Sequence, residues 1–116
     1  MDPKQLREAF KKHDIRKVKV GGFDLDGVLR GKYVSLEKLW GALDSGFGFC
    51  DVIFGWDIGD VLYDSAKITG WHTGYPDAHA TIDLSTFRVI PWEPNTAALL
   101  VDFVDQKGAP HPACPR

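Results

Sequence analysis

No hydrophobic run in this 116-residue sequence approaches the length of a membrane span, and Met1-Asp2-Pro3-Lys4 opens without the apolar core of a signal peptide. A cytoplasmic protein with no membrane partner is the expectation. Charge of one sign is lacking too: 14 basic against 16 acidic side chains leave a formal net charge of -2, which gives no footprint for nucleic acid. Cysteine is scarce. Cys50 and Cys114 allow one disulfide but read first as two free thiols, they lack zinc-site spacing, and His13, His72, His79 and His111 do not recur at metal-ligand intervals. A structural metal is not expected. Nor is a nucleotide held by this chain alone, because no glycine-rich phosphate loop stands at a strand–helix junction and no carboxylates cluster as a metal cage.

What remains is a globular composition, 44% hydrophobic and 26% charged. One domain of this size buries roughly two-thirds of its unfolded surface. Asp2 as N-cap and Pro3 at the first helical position start a short helix through Lys12, with Leu6, Ala9 and Phe10 on one face. Lys17 to Asp26 reads as a strand whose alternation runs Val18, Val20 and then jumps to Phe23, Leu25. The jump falls on Gly21-Gly22 and predicts a bulge or a close backbone approach there. Val28 to Val34 returns as its partner. Ser35 caps a second helix carrying the stripe Leu36, Leu39, Trp40, Leu43, stopped by Asp44-Ser45-Gly46. From Phe47 to Pro76 the pattern is irregular and rich in glycine and aromatics, as in a segment that binds or covers something. Strands follow at Ala80–Leu84, Phe87–Ile90 and Ala97–Phe103, and the tail from Gly108 reads as coil. Hairpin, helix, long loop and further strands predict a mixed α+β domain with one helix laid across a curled sheet.

Two acidic motifs invite a catalytic reading. Asp24-Leu25-Asp26-Gly27-Val28 matches the signature of haloacid-dehalogenase-type phosphatases, in which the first aspartate attacks phosphorus and the second is the general acid. Gly59-Asp60-Val61-Leu62-Tyr63-Asp64 matches their metal-binding motif. Topology opposes the pair, since such enzymes need several parallel crossovers and only 33 residues lie between Asp26 and Asp60. The plainer reading makes Asp24 a solvated strand position and Asp26 a turn residue.

A second set of residues is more specific. Asp83-Leu84-Ser85-Thr86-Phe87-Arg88-Val89-Ile90-Pro91-Trp92-Glu93-Pro94 resembles the strand pair that closes the N-terminal domain in the glutamine synthetase superfamily. Leu29-Arg30-Gly31-Lys32-Tyr33-Val34 is similar to the return strand of that domain's first hairpin. Ala113-Cys114-Pro115-Arg116 looks like the family's lead into its catalytic domain. The resemblance runs from about Lys17 to Arg116 with the three elements in the family's order.

That resemblance implies a β-grasp (ubiquitin-like) mixed sheet with one packed helix plus the short N-terminal helix. The expected division is a helix over residues 1–16, a β-grasp domain over 17–108, and over 109–116 the start of a linker to an absent catalytic domain. It further implies an ATP-dependent ligase that joins glutamate to ammonia or an amine. ATP and Mg or Mn would belong to the full-length enzyme. The partners would be the catalytic domains of its own and adjacent subunits in a homo-oligomeric ring, with the isolated chain inactive. Asp57 best matches the aspartate that binds and deprotonates ammonium in the neighbouring subunit's site. Trp71 resembles a loop tryptophan at the nucleotide edge, and Asp77 the acidic residue closing that loop. Each has a plainer reading: Asp57 as a turn cap, Trp71 as a core or interface aromatic, Asp77 as a turn residue after Pro76. Ile58-Gly59-Asp60 replaces the family's usual glycine-serine pair, which suits a γ-glutamyl-amine ligase branch as well as an ammonia user. A stand-alone β-grasp interaction module stays open as a further alternative.

Overall fold

Asp2 and Gln5 fix the start of the chain's first helix. In a computed structural model describing residues 1–116, the Asp2 carboxylate accepts from the Gln5 N–H, and the Gln5 side chain accepts from the Asp2 N–H. This reciprocal box satisfies two orphan donors of helix α1, Pro3–Lys12. Its buried face is Leu6 and Phe10, and Asp14 in a left-handed turn (φ 49°) leads the chain away. The following elements are β1 (Lys17–Phe23), β2 (Leu29–Ser35), α2 (Leu36–Ser45), β3 (Phe47–Cys50), a 3-10 turn over Asp51–Phe54, β4 (Asp77–Val89) and β5 (Thr96–Val104).

The five strands form one sheet in the order β2-β1-β5-β4-β3, with β1 and β5 parallel and the other neighbours antiparallel. This is the β-grasp arrangement expected of the sequence. Period-two burial along β5 places Ala97, Leu99, Val101 and Phe103 on one face, where they meet Val18 and Val20 of β1 and Leu6, Phe10 and Leu39 from the helices. Phe10 stands 5.1 Å from Trp40 and 5.7 Å from Phe87 between ring centroids, so α1, α2 and β4 meet at one aromatic junction. Each fully buried aliphatic or phenyl side chain here contributes about 1.5–3 kcal/mol of transfer free energy.

Three expectations change. First, Gly21-Gly22 holds no bulge, because the β1–β2 register runs unbroken from Lys17 opposite Ser35 to Phe23 opposite Leu29. The alternative, a close approach, is what occurs: a Cβ on Gly22 would lie 2.6 Å from the Phe103 ring. Gly22 keeps the core phase and the phenyl supplies the missing volume, so Phe23 turns to the opposite face and Leu25 is exposed. Second, the strands expected at Ala80–Leu84 and Phe87–Ile90 are one strand, β4, with a register shift between Asp83 and Arg88. The Thr86 hydroxyl accepts from the Leu100 N–H (2.8 Å) and donates to the Asp83 carbonyl (2.6 Å), which carries the ladder across the irregularity. Third, Phe47–Cys50 leaves the irregular segment to become edge strand β3.

The second face of the sheet has no helix on it. There Gly21, Phe23, Leu29, Leu100 and Trp92 line an open apolar groove of about 670 Å³, with Leu29 and Trp92 exposed. No helix is long and apolar enough to cross a membrane.

Candidate functional site

Three aspartates occupy the same position in the same five-residue loop. The Asp24 Oδ1 accepts from the N–H groups of Asp26 and Val28, both at 2.9 Å. Asp57 Oδ1 does the same for Gly59 and Val61 (2.8 and 3.0 Å), and Asp105 Oδ1 for Lys107 and Ala109 (2.8 and 3.0 Å). In each loop the aspartate's own N–H donates to the carbonyl four residues on, at 3.0, 2.9 and 2.7 Å. The fourth residue is left-handed each time: Gly27 (φ 76°), Asp60 (φ 65°) and Gly108 (φ 81°). This is a three-residue hairpin loop closed by a residue in the glycine-favoured region, with the carboxylate satisfying two loop amides.

Both phosphatase-like motifs are therefore turn chemistry. Asp24 is fully buried, and its Oδ2 receives the Arg30 Nε–H at 2.9 Å, so neither oxygen can reach a substrate phosphorus. It is not the solvated residue of the plainer reading either. Asp60 supplies the left-handed corner of its loop, and the sheet contains one parallel pair rather than a parallel array with repeated crossovers.

Arg30 joins the first loop to the second. Its Nε holds Asp24, one terminal nitrogen pairs with the Asp60 carboxylate, and the other donates to the Asp57 carbonyl at 3.3 Å. The guanidinium also lies over the Trp56 ring, 4.7 Å from its centroid. Burial alone would raise the Asp24 carboxyl. Hydrogen bonds from the Val28 N–H, the Arg30 guanidinium and the Asp26 N–H outweigh it and hold the group below its ordinary value. Arg30 is raised in turn, chiefly by its bond to Asp24.

Asp57 is half-buried and its Oδ2 makes no hydrogen bond, so one oxygen serves the loop and the other is available. Tyr63 adjoins it. Burial raises the Tyr63 phenol, and the fields of Asp26, Asp57 and Asp24 raise it further. The same ring, with Leu62, Asp64, Ala66, Trp71 and His72, lines a depression of about 270 Å³. Trp71 is 81% exposed and stands edge-on to Tyr75 at 5.2 Å, so it is no core aromatic. Asp77 lies elsewhere. It opens β4 opposite Cys50, with its carboxyl over Gly48, and is a strand residue rather than a turn residue. The loop between these points is tied at its base, where the buried Thr69 hydroxyl donates to the Asp51 carboxylate and the Asp51 N–H donates to the Pro76 carbonyl.

Sequence reasoning missed the roles of Arg30, Tyr63 and Thr69. The recurrence of Asp24-x-x-Gly27-x, Asp57-x-x-Asp60-x and Asp105-x-x-Gly108-x was a legible signal for the shared loop.

No protein-family model matches the chain. Among curated proteins, type-1 glutamine synthetase 2 of Dictyostelium discoideum is 54% identical over 99 residues, covering 85% of this chain and 19% of that protein. A glutamate–isopropylamine ligase of a Pseudomonas species is 40% identical over 114 residues, covering 97% of this chain and 25% of that protein. The chain belongs to the glutamine synthetase superfamily. It spans about a fifth to a quarter of the length of these superfamily relatives. The structure of GmaS in complex with ADP shares the fold, with a TM-score of 0.67 at 23% identity over 95% of this chain and 22% of the other. The chain is a β-grasp domain of that superfamily. It gathers no group of three His, Cys, Asp or Glu side chains suited to a metal ion.

Proposed function

We propose that this chain is the N-terminal domain of an ATP-dependent ligase that joins glutamate to ammonia or a primary amine, and that its loops complete the active site of an adjacent subunit in a ring. The observation that carries the reading is sequence likeness across nearly the whole chain both to a glutamine synthetase and to a glutamate–isopropylamine ligase, each several times longer. The two activities those names describe share glutamate and differ in the amine.

In this reading Asp57 is the catalytic residue of the domain. Its Oδ2 binds the ammonium or alkylammonium ion and takes one proton, and the neutral amine attacks γ-glutamyl phosphate with loss of phosphate. Asp57 suits the task because its Oδ1 is held by two loop amides while Oδ2 is unpaired. Trp71 stands at the nucleotide edge, supported by its exposure, and Asp77 closes the far end of the loop region. ATP and Mg or Mn are held by the remainder of the cytoplasmic enzyme. The uncovered apolar face of the sheet supports a packed neighbour, since apolar patches of this kind mark contact surfaces.

Two measurements test this. The complete open reading frame, assayed for ADP release with ATP, glutamate and a panel of ammonia, methylamine, isopropylamine and ethanolamine, turns over at least one of them. The 116-residue chain alone releases no ADP. Turnover by the short chain overturns the assignment of catalysis to a partner domain, and a reading frame that ends at Arg116 returns the protein to a stand-alone interaction module.

A further inference from the structure

We propose that Arg30 is a positioning residue for Asp57, setting where the free carboxylate oxygen points without touching substrate itself. The inference rests on the reading that Asp57 meets the amine. Arg30 hydrogen-bonds to both the Asp24 loop and the Asp57 loop, and it engages the second at three points: the Asp57 carbonyl, the Asp60 carboxylate and the Trp56 ring. Asp60 is the left-handed corner of the loop and Trp56 its preceding residue, so the guanidinium grips the loop on both sides of Asp57. The grip is rigid at its other end. Asp24 is fully buried, its two oxygens accept from Asp26, Val28 and Arg30, and β2 holds the Arg30 backbone opposite Gly22. A planar fork whose Nε and two terminal nitrogens are fixed in direction transmits that rigidity, whereas a lysine ammonium gathers its donors at one point on a flexible stem and does not reproduce their spacing. Misplacement of a reacting group by an ångström is costly to a reaction that depends on alignment.

The test uses the complete ligase. Arg30→Lys raises the KM for the amine or lowers the rate at saturating amine by about tenfold, while the KM values for ATP and glutamate stay put. Asp57→Asn gives a larger loss, and the double variant Asp57→Asn/Arg30→Lys is no worse than Asp57→Asn alone, because Arg30 acts through the carboxylate. Phe10→Leu, a core truncation under α1, lowers thermal stability without this amine-specific effect. If Arg30→Lys does not fold, Asp60→Asn removes one leg of the grip with the Asp24–Arg30 pair intact, and a smaller amine-specific defect is expected. Additive losses in the double variant, or an Arg30→Lys enzyme defective equally toward all three substrates, overturn the positioning role and leave the Asp57 reading standing. An Asp57→Asn enzyme with unchanged amine kinetics overturns both.

Discussion

The Asp24 and Asp57 loops use the same backbone and spend their aspartates differently. In both, Oδ1 accepts from the second and fourth residues that follow, and a left-handed residue closes the turn. The second oxygen separates them. Asp24 Oδ2 is buried and neutralised by Arg30, whereas Asp57 Oδ2 is unpaired in a half-buried setting. One aspartate is wholly structural, and the other keeps an unpaired carboxylate oxygen. The residue types around each loop are close to interchangeable, so identity and spacing do not decide which carboxylate is available. The position of one arginine does.

The contrast breaks most severely at Asp24. Asp24→Ala leaves the Arg30 guanidinium without its buried partner and two loop amides without an acceptor, and is expected to cost about 3 kcal/mol in denaturant unfolding. Asp105→Ala removes the same two amide contacts in a loop with no such arginine and costs about 1 kcal/mol. Equal costs at the two positions would mean that the arginine contributes nothing beyond the loop.

Acid titration sharpens the same point. Asp24 has its folded value depressed, so its stabilisation is complete above the ordinary carboxylate value near 4 and is lost as pH falls through the folded value. Asp83 and Glu93 are depressed as well, the first chiefly by its Ser85 and Arg116 bonds and the second by Lys19. Stability measured by urea melts between pH 5 and pH 2 therefore declines in the wild type, and the decline is shallower in Asp24→Asn without vanishing. An unchanged slope would remove Asp24 from the account.

How much of this was legible depended on distance along the chain. The first helix, the hairpin, the second helix and β5 follow from caps, turn residues and period-two or 3.6 patterns within a dozen residues. Gly21-Gly22 left a bulge and a close approach undivided because the ring that decides between them belongs to Phe103, about eighty residues away. Ser85-Thr86 read as a break because nothing nearby shows that a threonine hydroxyl can stand in for a ladder partner. At the candidate site, Asp57 was nominated by resemblance, and its turn-capping role was legible from residue type. The Arg30 bridge to Asp60 spans thirty residues and has no periodic trace, so it needed the fold.

Glycine substitutions probe the shared backbone alone. Nothing lies within 4 Å of a Cβ built at Gly27 or at Gly108, so alanine there meets only the left-handed penalty of about 1 kcal/mol. Thermal melts of Gly27→Ala and Gly108→Ala should give similar losses despite the burial of Asp24 beside the first. A much larger loss at Gly27 would show that the Arg30 network depends on the exact turn and not just on the carboxylate.

The smallest stability effect belongs to Asp57→Asn. The amide retains an Oδ1 acceptor for Gly59 and Val61, and the oxygen it replaces made no hydrogen bond, so unfolding free energy should stay within about 0.5 kcal/mol of wild type. Asp24→Asn, by the same exchange of one oxygen for nitrogen, faces Arg30 with a donor and loses far more. The ratio of the two losses measures what the second oxygen does in each loop. If Asp57→Asn is as damaging to folding as Asp24→Asn, then Asp57 Oδ2 carries a structural load and is not free for an amine. A neutral effect on folding combined with a lost amine dependence in the complete ligase would mark the same side-chain atom as idle in the fold and occupied in the reaction.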